Sequence, residues 1–134
     1  MLRSEILEVR SSADVSRVRQ LTRQWSAEQG FSLVDQTKIV TAASEIGRNT
    51  VIYGGGGVVK IEALQDPGRR GLRLTFEDKG PGIPNIEQAL RDGYTTGTGM
   101  GLGLGGARRL SNEFHVSSDL GAGTRVVICR WRDV

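Results

Sequence analysis

Asp78-Lys79-Gly80-Pro81-Gly82 is the stretch whose reading decides the fold, because of what leads into it. The preceding run Leu72-Arg73-Leu74-Thr75-Phe76 alternates apolar and polar residues with the period of a strand entering a core. The strand delivers one carboxylate, Asp78, into a turn built from glycine and proline. Gly80 and Gly82 carry no Cβ, so a flat ligand can lie against the backbone there. A carboxylate is an acceptor only, which suits the exocyclic amine of an adenine. Taken alone, the D-x-G-x-G spacing also describes an ordinary strand end running into an Asp-Gly turn.

Two further stretches flank it: Glu45-Ile46-Gly47-Arg48-Asn49 and Gly97-Thr98-Gly99-Met100-Gly101-Leu102-Gly103. Glu45 and Asn49 are four apart, so on a helix they share a face. A carboxylate there can take a proton from an attacking hydroxyl, and a neutral amide oxygen can ligate Mg²⁺. An ordinary polar helix face has the same composition. The glycine run opening a helix offers backbone N–H groups to an anion.

E-x-x-x-N, then D-x-G-x-G, then a Gly-rich loop opening a helix, in that order, resembles the GHKL ATPase superfamily. That superfamily comprises the ATP-binding domains of gyrase, Hsp90, histidine kinases and MutL. Gly121-Ala122-Gly123-Thr124 is similar to its last nucleotide-contacting element, so the motifs cover residues 45–124, most of the chain. The resemblance implies ATP and Mg²⁺ as cofactors, with Glu45 as general base and Asn49 as metal ligand. It implies that Asp78 recognises adenine through one direct bond and one ordered water, whose network Thr124 completes. Gly80 and Gly82 then admit the nucleotide, and Gly97, Gly99, Gly101, Leu102 and Gly103 hold the triphosphate. Some histidine kinases carry a basic residue three positions after the metal asparagine; here that place is Ile52. Arg48 is expected to point away from Glu45 and Asn49 and receives no role.

Length and composition bound the answer. At 134 residues, 37% hydrophobic and 25% charged, the chain reads as one globular domain over 1–134. Its 19 glycines concentrate at 54–57 and 97–106, as ligand-facing loops would. The net charge of +3 and pI near 9.5 raise the question of nucleic acid. The basic residues fall in small groups (Arg17, Arg19 and Arg23; Arg69 and Arg70; Arg108 and Arg109; Arg130 and Arg132) without interleaved aromatics for stacking. Solvated faces and a protein-partner surface account for them better than a polyanion. The single Cys129 excludes an internal disulfide and a multi-cysteine metal site, and reads as an inert strand residue. No apolar run reaches membrane length and the N-terminus has no apolar h-region, so a cytoplasmic location is expected.

Periodicity predicts a strand at 5–9, a helix after Ser11-Ser12 ended by Gly30, and a second helix from about 34 to 53. Ile39, Ala42, Ala43 and Ile46 should face the core. Strands at 58–64 and 71–77 form a hairpin across a medium loop at 65–71. A short helix at 85–91 capped by Asn85 follows. Residues 92–101 have almost no apolar content and read as a mobile loop. A helix at 102–113 with Leu104, Ala107 and Leu110 inward, and strands at 114–118 and 124–131, complete the chain. That order fits an α+β, two-layer α/β sandwich with a mixed sheet and helices on one face, and it resembles the Bergerat fold of the same superfamily.

Two rival nucleotide folds fail. Gly101-Leu102-Gly103-Leu104-Gly105-Gly106 satisfies G-x-G-x-x-G, but Gly93-Tyr94-Thr95-Thr96-Gly97 before it is no buried strand, and fifteen residues after Asp119 are too few for the rest of a Rossmann sheet. No G-x-x-x-x-G-K-[ST] occurs. The lone His115 opens a strand and sits in no helical phosphoacceptor motif.

Within the superfamily, the transducer domains of gyrase, MutL and Hsp90 and the dimerising helices of histidine kinases are not present in these residues. The tracts Val34-Asp35-Gln36, Thr41-Ala42-Ala43-Ser44-Glu45, Glu77-Asp78-Lys79-Gly80-Pro81-Gly82-Ile83-Pro84 and Gly93-Tyr94-Thr95-Thr96 look most like the RsbT-type switch kinases of bacterial stressosomes. That resemblance implies a serine/threonine kinase whose substrate is a STAS-domain antagonist protein and which, once freed, engages a phosphatase activator. An RsbW-type anti-sigma factor binding a sigma factor directly is the alternative, as is an ATP-gated binding module; Glu45 favours an enzyme over the latter.

Overall fold

The computed structural model describes residues 3–83, 86–90 and 103–133. The expected loop at 92–101, with the residues Gly97, Gly99, Gly101 and Leu102, and the cap Asn85 lie outside them. The elements are β1 (Arg3–Val9), α1 (Ser12–Glu28), α2 (Leu33–Ile52), β2 (Gly57–Asp66), β3 (Arg69–Asp78), α3 (Ile86–Ala89), α4 (Leu104–Arg109), β4 (Glu113–Asp119) and β5 (Gly123–Asp133).

Both long helices begin where a serine caps them. Ser11 accepts from Asp14 N–H and Ser32 from Asp35 N–H, satisfying donors that the first turn leaves unpaired. Asp14 and Asp35 add negative charge at the positive ends of the helix dipoles. Val15, Val18 and Trp25 of α1 are buried, as are Ile39, Ala42, Ala43 and Ile46 of α2. These residues recur at helical spacing, so each helix lays one apolar stripe on the sheet.

The strands line up in the order β1-β2-β3-β5-β4. Every pairing is antiparallel, so the expectation of a mixed sheet is corrected. The reason is connective. Two helices between β1 and β2 return the chain antiparallel, whereas a single crossover helix gives a parallel neighbour. β4 runs the same way as β3, but the β4–β5 hairpin inserts β5 between them, so these two never pair.

Two element boundaries also differ from the sequence reading. The β2–β3 hairpin is tight, with Asp66 paired to Arg69 and only Pro67-Gly68 between them. Pro67 fixes φ, Gly68 takes φ 83°, and an Asp66–Arg69 ion pair of 3.2 Å closes the turn. The helix expected to run to 113 stops at Arg109. There Asn112 is drawn into the sheet: its N–H donates to Cys129 O, and its Oδ1 accepts from Trp131 N–H. Glu113 already pairs with Cys129.

Alternation along β2, β3 and β5 sends Val59, Ile61, Leu72, Leu74, Phe76, Val126 and Ile128 into one core with α1, α2 and α4. The opposite face of the sheet carries Glu62 and Arg73, joined by two bonds of 2.9 and 3.1 Å. That fork, against burial, holds the Glu62 carboxyl below its ordinary value. Beside it, burial raises the Cys129 thiol to about 12, which keeps it protonated and unreactive.

Arg73→Met removes both guanidinium bonds to the largely buried Glu62 carboxylate and leaves it only the longer Lys60 contact of 3.9 Å, and the expected cost is ~1–2 kcal/mol, discounted because Arg73 is partly exposed. A folded-state pKa below the ordinary value of 4.5 means the pair stabilises the fold in full above pH 4.5. That contribution fades as pH falls through the lowered pKa. Thermal melts from pH 7 down to 3 should therefore show the gap between variant and wild type closing at the acid end. No helix among the described residues is long and apolar enough to cross a membrane.

Candidate functional site

The strand period that buries Leu72, Leu74 and Phe76 also places Asp78 on the helix-covered face, where β3 emerges at its end. Asp78 enters a cleft between the sheet and α2. Ile46, Asn49, Thr50, Tyr53 and Gly54 form the helix side, and Phe76, Thr124 and Val126 the sheet side. Gly82 and Ile83 close one end, and Leu104 of α4 reaches the same space. The walls are mainly apolar with a few polar groups converging, the usual make-up of a small-molecule site.

Around Asp78 the packing is tight. Gly80 N–H donates to Asp78 Oδ1 at 2.9 Å, which fixes the carboxylate's plane and leaves its other oxygen for a ligand. Gly54, in the run that ends α2, lies so close that a Cβ there would overlap the Asp78 carboxylate. Thr124 stands opposite Asp78 in the β3–β5 register, so the two side chains are neighbours across strands. Gly82 bonds into the same seam through its neighbour: Ile83 N–H donates to Ser118 Oγ at 2.7 Å, and Ser118 Oγ lies 2.9 Å from Thr124 Oγ1.

At the other end, α2 presents Glu45 one turn before Asn49. Gly103, the N-cap of α4, takes φ 70°, and a Cβ there would lie 2.5 Å from Glu45 Oε2. Only glycine permits the backbone to approach that carboxylate in that conformation. Glu45 is half-buried and does not line the cleft; it stands at the edge where the glycine run joins α4.

The expectation that Arg48 points away from Glu45 is corrected. Its guanidinium bonds Glu45 Oε2 at 2.7 Å, because residues three apart on a helix are neighbours on the same surface. An exposed pair of this kind is a weak tether, ~0.3–0.5 kcal/mol, easily exchanged for another partner.

The structure thus brings Asn49, Asp78, Gly82 and Thr124 to one cleft, with Glu45 and Gly103 in contact at its edge, whereas Gly80 lies outside the lining, packed on the Gly54 backbone and bonded to Asp78. Sequence reading missed Gly54, Tyr53 and the apolar walls. Nothing in their spacing marks them, although the glycine run was visible. It also missed Ser118, whose one signal is its place opposite Thr124 across a short hairpin. His115, by contrast, is exposed on β4.

Residues 34–133 match the family described as histidine kinase-, DNA gyrase B-, and HSP90-like ATPase. The serine/threonine-protein kinase RsbT of Bacillus subtilis (strain 168) is 44% identical over 118 residues, 88% of this chain and 89% of that protein. An anti-sigma F factor of Clostridium kluyveri is 35% identical over 103 residues, 72% of this chain and 71% of that protein. The solved catalytic domain of the histidine kinase ThkA shares the fold, with a TM-score of 0.57 at 18% identity, covering 94% of this chain and 95% of that one. With a cleft that joins a strand-end aspartate to a helical asparagine, and a family match over three quarters of its residues, the chain belongs to the histidine kinase-, DNA gyrase B-, and HSP90-like ATPases.

Proposed function

We propose that the chain is an ATP-dependent serine/threonine protein kinase of the switch type, acting as a single domain on a Ser or Thr of a STAS-domain antagonist protein. The observation that carries this reading is the contact of Glu45, on the same helix as Asn49, with Gly103, at the end of the cleft away from Asp78. A nucleotide whose adenine meets Asp78 extends its phosphates towards Asn49 and Gly103, which brings the terminal phosphorus within the neighbourhood of Glu45. The sequence motif assigns Gly97, Gly99, Gly101 and Leu102, which lie outside the described residues, to the triphosphate as well.

The chemistry then balances simply. The acceptor hydroxyl oxygen forms a bond to the γ-phosphorus, the bond from that phosphorus to the bridging oxygen breaks, and ADP leaves. Glu45 takes the hydroxyl proton. Among the described residues no group of three or more His, Cys, Asp or Glu could hold a metal. A single neutral oxygen from Asn49 suits Mg²⁺, which takes one or two protein ligands and completes its shell with phosphate oxygens and water. Mg²⁺ held there by Asn49 would neutralise phosphate charge.

The identity to a serine/threonine-protein kinase supports Ser or Thr as the acceptor. The anti-sigma F factor relatives favour a second reading, direct binding of a sigma factor, which is compatible with kinase activity. ATP as the phosphoryl donor suits a cytoplasmic protein. The test is transfer of label from γ-labelled Mg-ATP to a purified STAS-domain antagonist protein. Label on a Ser or Thr of that partner is expected; labelled ATP that is bound but never transferred overturns the kinase reading in favour of a nucleotide-gated binder. Co-elution of a sigma factor with the ATP-loaded protein supports the second reading.

A further inference from the structure

We infer that Ser118 is a positioning residue that sets base selectivity at the adenine end of the cleft, acting through Thr124 and the Gly82-Ile83 turn; the inference rests on the ATP reading above. Ser118 sits on β4, one strand removed from β3, and is not among the residues lining the cleft. Its hydroxyl nevertheless makes three contacts with the segments that do. It accepts from Ile83 N–H at 2.7 Å, lies 3.2 Å from Gly123 O as donor, and lies 2.9 Å from Thr124 Oγ1.

A hydroxyl has one proton and two lone pairs, so these contacts exhaust what Ser118 can offer. Its proton goes to Gly123 O, which can only accept, so Thr124 must be the donor in the bond to Ser118. The Thr124 hydroxyl is thereby held on Ser118 and turns only lone pairs towards the ligand. The same seam is closed a second time by Gly121 N–H donating to Pro81 O at 2.9 Å. One side chain therefore fixes the direction of a base-reading hydroxyl and the position of the turn beside it.

The consequence concerns adenine against guanine. The two bases differ at this edge by an amine in place of a carbonyl, a donor in place of an acceptor. A carboxylate and a hydroxyl of fixed direction reject the wrong edge; a hydroxyl free to rotate accepts either. Removing Ser118 frees Thr124 without deleting it.

Calorimetric titration of ATP and GTP tests this in wild type, Ser118→Ala, Thr124→Val and the double variant. Ser118→Ala is expected to lower the ATP:GTP affinity ratio by about tenfold, the factor that one misdirected hydrogen bond carries. Because the two residues act as a unit, the double variant should fall no further than the larger single effect. Ser118→Thr, which keeps a hydroxyl, should restore the ratio.

An unchanged ratio in Ser118→Ala overturns the inference, even if both affinities drop together, since that marks a merely structural hydroxyl. So do effects of the two single variants that multiply in the double. Should Ser118→Ala fail to fold, Ser118→Cys keeps the size with a weak acceptor; an intermediate ratio supports the inference and a wild-type ratio overturns it. Wild-type protein that binds neither triphosphate overturns the ATP reading itself, a result distinct from all of these.

Discussion

Replacing Glu45 with alanine lowers phosphoryl transfer by ~10²–10⁴-fold, the range that a general base supplies, and leaves ATP affinity nearly unchanged. The separation follows from position. Glu45 stands beyond the cleft's lining, against Gly103, whereas Asn49, Asp78 and Thr124 line the space a nucleotide fills. The fold tolerates the change, because the lost Glu45–Arg48 bridge is an exposed pair three residues apart. Glu45→Gln keeps the size and the contact with Gly103 but cannot take a proton, so it should be as slow as alanine. Single-turnover transfer measured beside calorimetric ATP binding decides the matter. Equal loss of affinity and rate in both variants would move Glu45 from proton transfer to nucleotide binding.

Asp78→Asn weakens ATP binding by ~10–100-fold, the weight of a hydrogen bond to a charged group. The direction of the effect is set by Gly80. Its N–H bonds Asp78 Oδ1 at 2.9 Å and still needs an acceptor after the substitution. The asparagine oxygen must therefore face Gly80, which turns the amide NH₂ into the cleft. There it meets the adenine amine donor to donor, while a guanine carbonyl would be accepted. Loss of ATP affinity should accompany a relative gain for GTP, with little change in melting temperature because Asp78 is only half-buried. A variant that binds ATP as tightly as wild type would remove Asp78 from base recognition.

Much of this was legible along the chain because it rests on local periods. A period of two carries Leu72, Leu74 and Phe76 inward, and the same parity carries Asp78 to the cleft at the strand's end. A period of 3.6 buries Ile39, Ala42, Ala43 and Ile46 and, on the same helix, presents Glu45 and Asn49 one turn apart. Serine caps start both long helices, and Gly30 and Gly54 follow their ends. None of these features needs a partner from elsewhere in the chain.

What only the tertiary structure decided involves groups brought together across many residues or across strands. The sheet is wholly antiparallel because β5 returns between β3 and β4, a choice that no local pattern encodes. Helix α4 ends at Arg109 because Asn112 finds its hydrogen-bond partners on β5, not because its sequence forbids another turn. Ser118 reaches the site through hydrogen bonds to two other segments, 35 residues back at Ile83 and six ahead at Thr124. Periodicity tells which face a residue takes; only the folded chain, where hydrogen-bonding groups must all find partners, tells what waits for it there.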